Sequence, residues 1–324
     1  MTLQQPPEFD NFRILSARIG QDPLQVQGAG GNTSIKHGHA MWIKASGTEL
    51  AKAEQRDIFV TVDRKMVLAE VHGSAGDGSC KGTVLGSQNQ LRPSIETTFH
   101  AALDWPVIAH THSIATLVHA ISPAGRAAAA LKLKDLKPAF IPYAKPGLAL
   151  THKILEHVQA ETRVFILQNH GLIVCGTTVA QTAELIDDVE TRLVMPTKAL
   201  HIRPPDTDPP DDWEWANESW IAHDKRAAAV AQAGSYYPDH VVFLGPALPT
   251  SDHKGAPPAV LYDGVGIMIR KTATATQRAM LRCLSDILLR LPKDWAPVPI
   301  GTEAEAELQE WDAEKYRQAL AKKK

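Results

Sequence analysis

The chain has 324 residues, 44% hydrophobic and 22% charged, with a formal net charge of −2 at pH 7. That length buries about three quarters of the unfolded surface, in one large or two modest domains. The balanced charge gives no electrostatic case for nucleic acid, no run of about eighteen apolar residues would span a membrane, and no signal peptide is recognisable, so a soluble cytoplasmic protein is expected.

The first readable element is a glycine-rich turn, Gly28-Ala29-Gly30-Gly31-Asn32-Thr33-Ser34-Ile35. Such a loop can cradle a phosphate through backbone N–H groups, although a tight turn asks for the same glycines. It is neither a Walker loop nor the dinucleotide fingerprint. A short apolar strand around Met41-Trp42-Ile43 leads to a second small-polar turn, Lys44-Ala45-Ser46-Gly47-Thr48. Two such turns, one with a lysine, suit an anion better than either alone. Residues 73–91 are rich in Gly, Ser and Asn and read as an exposed loop.

A helix is predicted to start at Arg92-Pro93-Ser94-Ile95-Glu96, with proline near its first turn and serine as its cap. Ile95, Phe99 and Ala102 would face the core, while Glu96 and His100, four apart, share another face. Taken without further context, Glu96 reads first as a first-turn acid complementing the helix dipole.

Val107-Ile108-Ala109-His110-Thr111-His112 reads as a buried strand. Alternation then points His110 and His112 to the same side. Downstream stands Asn169-His170-Gly171. Three imidazoles, with a carboxylate or water in the remaining place, make a catalytic zinc site. A His-x-His pair alone is a weak signal, and its company is what raises it. His37, His39, His152, His157, His201 and His253 lie in polar stretches and read as solvated; His72 is given no role.

Cys80, Cys175 and Cys283 are few, odd in number and far apart, which fits a reducing compartment. Cys175, inside Leu172-Ile173-Val174-Cys175, reads as a core residue. Thr178 to Met195 reads as an amphipathic helix, with Thr178 and Gln181 placed as in a capping box. Residues 203–212 hold four prolines, which exclude a regular helix and mark a linker. Beyond it, an extension over 213–324 is expected to mix helix and strand. Trp213 to Ala233 reads as a helix and Val241-Val242-Phe243-Leu244 as a strand. Asp263-Gly264 marks a hairpin between 260–262 and 265–269. Thr274 to Leu291 is a further helix, and the last helix runs from Glu303 toward Lys322-Lys323-Lys324, the order a helix dipole favours. Trp213, Trp215 and Trp220 are read as packing residues rather than a partner surface.

Taken in order, Gly-Gly-Asn-Thr-Ser, Lys-Ala-Ser-Gly-Thr, Arg-Pro-Ser-Ile-Glu-Thr, His-Thr-His-Ser and Gln-Asn-His-Gly-Leu-Ile resemble the class II aldolase/adducin family. The wording Arg-Pro-Ser-Ile-Glu-Thr is most similar to the aldolase part of bifunctional rhamnulose-phosphate aldolase/dehydrogenase proteins. The resemblance covers roughly residues 10–195. It implies an α/β fold, three layers α/β/α around a mainly antiparallel sheet, and so a zinc domain over 1–202 followed by the linker and extension. It implies one Zn²⁺ per chain held by His110, His112 and His170, with Glu96 as acid/base. It also implies a homotetramer with sites between subunits. Asn32, Ser46, Gly47 and Ser94 match the family's phosphate-binding positions, with Lys44 beside them. Ala29 and Ile95 stand where the fuculose-phosphate type has threonine and serine. The tyrosine that family aldolases take from a neighbouring subunit has no counterpart in Ala127-Ala128-Ala129-Ala130-Leu131, and Tyr143 matches a different, structural tyrosine.

The reaction this implies is cleavage of a short ketose phosphate or related hydroxy-carbonyl compound. It leaves an enediolate whose charge the zinc would absorb. A dehydratase, epimerase or decarboxylase could use the same site, and a non-catalytic adducin-like module could keep the fold. The expected partners are therefore a small sugar-phosphate-like substrate and further copies of the chain, with neither nucleic acid nor membrane. The dehydrogenase part of the bifunctional proteins has no counterpart, since no Gly-x-x-x-Gly-x-Gly follows a strand.

Overall fold

The computed structural model describes residues 4–86, 91–198, 205, 207–250 and 256–322. They fall into two units. The first runs to Ala120 and resumes over Arg126–Val194; the second takes Ile121–Gly125 and the described residues from Met195 onward.

The first unit is organised by one sheet of β1 (Asn32–His37), β2 (Ala40–Lys44), β3 (Phe59–Asp63), β4 (Val107–Thr111), β5 (Ala139–Ile141), β6 (Val164–Leu167) and β7 (Gly171–Gly176). Its order is β3-β2-β1-β4-β7-β6-β5. Every neighbouring pair is antiparallel except β5 with β6. The helices of this part of the chain are α1 (Phe9–Gln21), α2 (Arg64–Val71), α3 (Thr97–Ala102), α4 (Ile114–Ala120), α5 (Pro123–Lys132), α6 (Leu148–Leu155) and α7 (Val179–Leu193).

Strand alternation divides the core between the two faces of the sheet. Val107 and Ala109 of β4 and Leu172 and Val174 of β7 pack with Phe12 and Leu15 of α1 and Ile186 and Val189 of α7. Ile108, Ile173 and Cys175 face the other way, onto Phe99 of α3 and Leu150 and Ile154 of α6. This is the three-layer α/β/α arrangement expected from the sequence, with Cys175 in its core.

Several local expectations change. The helix anticipated from Pro93 begins at Thr97. Ser94 is not its cap: the Ser94 Oγ accepts the Glu96 N–H at 3.3 Å and its carbonyl accepts the Thr97 N–H at 3.1 Å. Residues 94–97 therefore make a tight turn, and Glu96 takes the N-cap place. Pro93 bridges to Ala45, and a residue before a proline is held extended, so the helix cannot reach back through it. Phe99 is buried, but Ile95 and Ala102 are only half-buried, whereas the polar Thr97, Thr98 and His100 are buried. At α7, Thr178 Oγ accepts the Gln181 N–H, while the Gln181 side chain is engaged by Thr177 rather than closing the box. In the 73–91 loop the Glu70 carboxylate accepts from the Gly78 and Cys80 N–H groups at 2.9 and 3.1 Å, so part of it is anchored; residues 87–90 lie outside the described residues.

In the second unit β8 (Trp213–Trp215), β9 (Ala259–Tyr262) and β10 (Gly266–Arg270) form an antiparallel sheet ordered β8-β10-β9. The Asp263-Gly264 hairpin is present, with Tyr262 opposite Gly266 and Gly264 at φ +68°. The single helix expected over 213–233 is three elements: β8, a 3₁₀ stretch (Asn217–His223), and α8 (Lys225–Ala233) capped by Asp224. Pairing with β10 overrides local helical propensity at its start. Val241–Leu244 is helical, not a strand, within α9 (Pro238–Leu244). Pro238 at the first position is the start signal, and an apolar run buried all round has no periodicity to separate the two readings. α10 (Ala275–Arg290) follows Thr274 with a full capping box to Gln277. The last helix breaks at Trp311 into α11 (Thr302–Glu310) and α12 (Asp312–Ala321).

Trp220 is buried and donates to Ser285 Oγ at 2.8 Å, and the Arg270 guanidinium lies 4.4 Å from the Trp213 ring centre. His201, His253 and, within the expected linker, 203–204 and 206 lie outside the described residues. Among those described, no helix is long and apolar enough to cross a membrane.

Candidate metal centre

Strand β4 sets the site. His110 lies within it and His112 one residue past its end, so alternation turns both to one side. Asn32 pairs with His110 across β1 and β4, and His110 with Ile173 across β4 and β7. Asn32 is thereby fixed beside His110, and the turn entering β7 delivers His170. His110, His112 and His170 are buried, and one ring nitrogen from each lies within 4.8 Å of the others.

That delivery leaves no slack. Asn169 has φ +54° and Gly171 φ +152°. A Cβ on Gly171 would stand 2.2 Å from the Thr111 carbonyl oxygen and 3.2 Å from the His112 Cα. The backbone of β7 thus lies directly against the strand that carries the other two histidines.

Glu96 completes the cluster. Its Oε1 is 3.4 Å from His170 Nε2 and its Oε2 3.5 Å from His110 Nε2. His110 Nδ1 donates to the Leu172 carbonyl at 2.9 Å, because a carbonyl only accepts. The Nε2 lone pair therefore faces the centre, the arrangement that orients a metal-binding imidazole. Neither His110 Nε2 nor Glu96 Oε1 has a hydrogen-bond partner among the described residues, and both are buried. Buried polar atoms are nearly always paired. Lone pairs converging from two such atoms, with imidazoles of His112 and His170 alongside, suit a divalent cation, and imidazole nitrogen with carboxylate oxygen is a donor set that zinc accepts.

Behind Glu96 lies a run of contacts that motif reading did not find. Asn32 Nδ2 donates to Glu96 Oε2 at 2.7 Å, Asn32 Oδ1 contacts His100 Nε2, and His100 Nδ1 lies 2.7 Å from Ser34 Oγ. Burial, with Lys36 and then His110 adding to it, pushes His100 well below the usual imidazole range. The signal was present: Asn32 and Ser34 share a strand face, and His100 follows Glu96 by one helical turn.

The residues expected to read an anion are brought into one neighbourhood. Lys44 ties the two turns together, donating to the Ala29 carbonyl at 2.8 Å and the Thr48 carbonyl at 2.9 Å. Ser46 N–H donates to the Arg92 carbonyl, Gly47 sits at φ +74°, and Ser94 Oγ lies 3.3 Å from Asn32 Nδ2. Asn32 and Lys44 thus already have protein partners. Tyr143 is half-buried just beyond β5.

Comparison with known proteins agrees with this architecture. The model of the class II aldolase and adducin N-terminal domain matches residues 18–195. The protein named uncharacterized oxidoreductase YuxG of Bacillus subtilis (strain 168) is 25% identical over 205 residues, 58% of this chain and 30% of that protein. The match therefore spans under a third of that relative's length. The N-terminal class II aldolase domain of a conserved protein from Thermoplasma acidophilum is similar in structure, with a TM-score of 0.51 and 22% identity over 60% of this chain and 95% of that one. An aldolase II superfamily protein from Pseudomonas syringae aligns at 17% identity and a TM-score of 0.44, over 59% of this chain and 75% of its own.

Proposed function

Because this chain belongs to the class II aldolase and adducin family, we propose that it is a zinc-dependent aldolase, a lyase that cleaves a short ketose phosphate or related hydroxy-carbonyl compound. The observation that carries this reading is the Glu96 carboxylate, whose two oxygens lie 3.4 and 3.5 Å from the ring nitrogens of His170 and His110. On this reading the acid/base lies buried among the residues that would hold the metal. His110, His112 and His170 would hold the ion, one per chain. When bound, it would supply electrophilic stabilisation of negative charge that develops on substrate oxygens.

Glu96 would move the proton. Its position at the start of α3 aims a flexible carboxylate, longer than aspartate, into the cluster, and the Asn32 bond steadies one oxygen while Oε1, beside His170, has no hydrogen-bond partner among the described residues. An acid/base so placed contributes roughly two to four powers of ten in rate. The turns at 28–31 and 45–48, with Ser46, Gly47 and Ser94, would dock the substrate's anionic end and so fix the reacting carbon near Glu96. Ala29 and Ile95 supply no hydroxyl, so a phosphate would rest mainly on backbone N–H groups there. The family resemblance further supports a homotetramer, and three buried, unpaired cysteines suit a cytoplasmic location.

The deciding experiment is metal analysis of the purified protein followed by incubation with ketose 1-phosphates and sugar acids. An aldehyde together with a three-carbon fragment is the expected product. Loss of rate by roughly two to four powers of ten in Glu96→Gln, with metal retained, would support the assigned role. A dehydrated product with no aldehyde would overturn the aldolase reading.

A further inference from the structure

With Glu96 taken as a carboxylate and His100 as a neutral imidazole, the contacts behind Glu96 have one consistent arrangement of hydrogens. An ionised carboxylate accepts and cannot donate, so Asn32 must present Nδ2 to Glu96. Asn32 Oδ1, an acceptor, then faces His100. His100 must carry its hydrogen on Nε2. A neutral imidazole has one N–H, so Nδ1 is left as an acceptor, and it takes the hydroxyl hydrogen of Ser34 at 2.7 Å. Ser34 donates to His100, His100 to Asn32, and Asn32 to Glu96. Each of these three steps points toward the carboxylate, and Asn32 Nδ2 also donates to Ser94 Oγ at 3.3 Å.

We infer that Ser34, His100 and Asn32 form a one-directional hydrogen-bond chain that positions the Glu96 carboxylate for proton transfer, a role that rests on the acid/base reading above. Three features set this apart from a histidine packed for its shape. His100 is fully buried and stacked on Phe99, with ring centres 4.5 Å apart, so its plane is fixed. Both of its ring nitrogens are engaged, by residues of β1 that face the same side as each other. The chain ends on one oxygen of Glu96 only, which fixes that oxygen and leaves Oε1 directed at His170. Hydrogen bonds aligned head to tail polarise one another, and a fully satisfied buried network rigidifies what it holds. Asn32 consequently serves as a positioning residue for Glu96, with both ends of its amide engaged, rather than as a free donor for the substrate's anionic end.

Two measurements test this, and the first needs no activity. Two-bond ¹H–¹⁵N spectra of the metal-free protein near neutral pH should show His100 as the Nε2–H tautomer, its signal assigned by its loss in His100→Gln. The Nδ1–H tautomer or an imidazolium would overturn the chain's direction. The second compares Ser34→Ala, His100→Leu and His100→Gln for bound zinc, thermal unfolding, kcat and KM. His100→Leu should keep its zinc but lose roughly ten- to a hundredfold in kcat, with KM within about threefold. His100→Gln, whose amide can donate to Asn32 from a similar place, should recover most of that loss. Ser34→Ala should lose less than His100→Leu, and it keeps the test available if His100→Leu does not fold. Equal losses in His100→Leu and His100→Gln, or losses that follow zinc content alone, would refute the positioning role. A wild-type protein inactive on every sugar phosphate and sugar acid would instead refute the proposed reaction, and the tautomer result would still decide the direction of the chain.

Discussion

Gly171→Ala probes the closest backbone approach in the site. The added Cβ would stand 2.2 Å from the Thr111 carbonyl oxygen, at a position with φ +152°. Neither contact partner is the end of a flexible side chain, so β7 must move away from β4 or the turn carrying His170 must re-form. Strained backbone costs about 1–3 kcal/mol, and overpacking a fitted site typically about 1–3 kcal/mol more. The sum, about 2–6 kcal/mol, is a large share of the roughly 5–15 kcal/mol that holds a domain folded. For a unit of this size each kcal/mol lowers Tm by about 2–4 °C, so a drop of roughly 4–24 °C is expected by calorimetry. The control is Gly38→Ala: φ there is +58°, but nothing lies within 4 Å of the added atom. It carries backbone strain without the clash, so the difference between the variants isolates the close approach. Displacement of His170 should also weaken zinc binding at least about tenfold, as disturbing the support of a metal ligand does. If Gly171→Ala melts with Gly38→Ala and binds zinc as the wild type does, the packing argument is wrong.

His110→Ala and His112→Ala should each abolish stoichiometric zinc, measured by elemental analysis, while far-UV circular dichroism stays that of the wild type; full occupancy in the double variant would contradict the assignment. Burial lifts the Glu190 carboxyl from its ordinary 4.5 to about 7. Between those values the folded protein keeps a proton that the unfolded chain has released, so this group's contribution to stability is full below about pH 4.5 and falls away as pH rises through about 7; Glu190→Gln should flatten that slope in denaturant titrations, and an unchanged slope would remove Glu190 as its source. Lys44→Met should lower Tm and slow turnover of phosphorylated and unphosphorylated substrates alike, because Lys44 holds two turns together; a loss confined to phosphorylated substrates would show that its charge reads the phosphate directly.

What could be read beforehand follows from how each feature is encoded. His110 and His112 were legible because a strand's period of two decides their side from the sequence alone. The short, buried elements of the second unit were not: Val241–Leu244 is apolar on all sides, so neither period shows, and Trp213–Trp215 is a strand only because β10 lies beside it. The chain from Ser34 to Glu96 was legible only in pieces, a shared strand face and a helical turn, and its joining was not, for a different reason. Its links join residues 64 to 68 positions apart, and they form only once β1 has docked against α3. Local motifs announce ligands, whereas the residues that orient them are specified by tertiary contact.

This distinction bears on what the pocket can recognise. Asn32 and Lys44 looked like donors for an anion because each sits in a small-polar turn. In the folded protein both are internal ties: Asn32 bridges Glu96 and His100, and Lys44 bridges the carbonyls of Ala29 and Thr48. Their polar atoms offset the burial of other polar groups, as a buried site requires. On the proposed reading, anion recognition would then fall to the turns themselves, through backbone N–H groups near Gly47 and the hydroxyls of Ser46 and Ser94. Such a cradle favours negative charge without demanding three full phosphate oxygens, and it would accept a carboxylate on geometric grounds as readily as a phosphate. On the proposed reading the histidine cluster and Glu96 would set the chemistry and these two turns the substrate's anionic end, so sugar acids belong beside sugar phosphates in the first substrate screen.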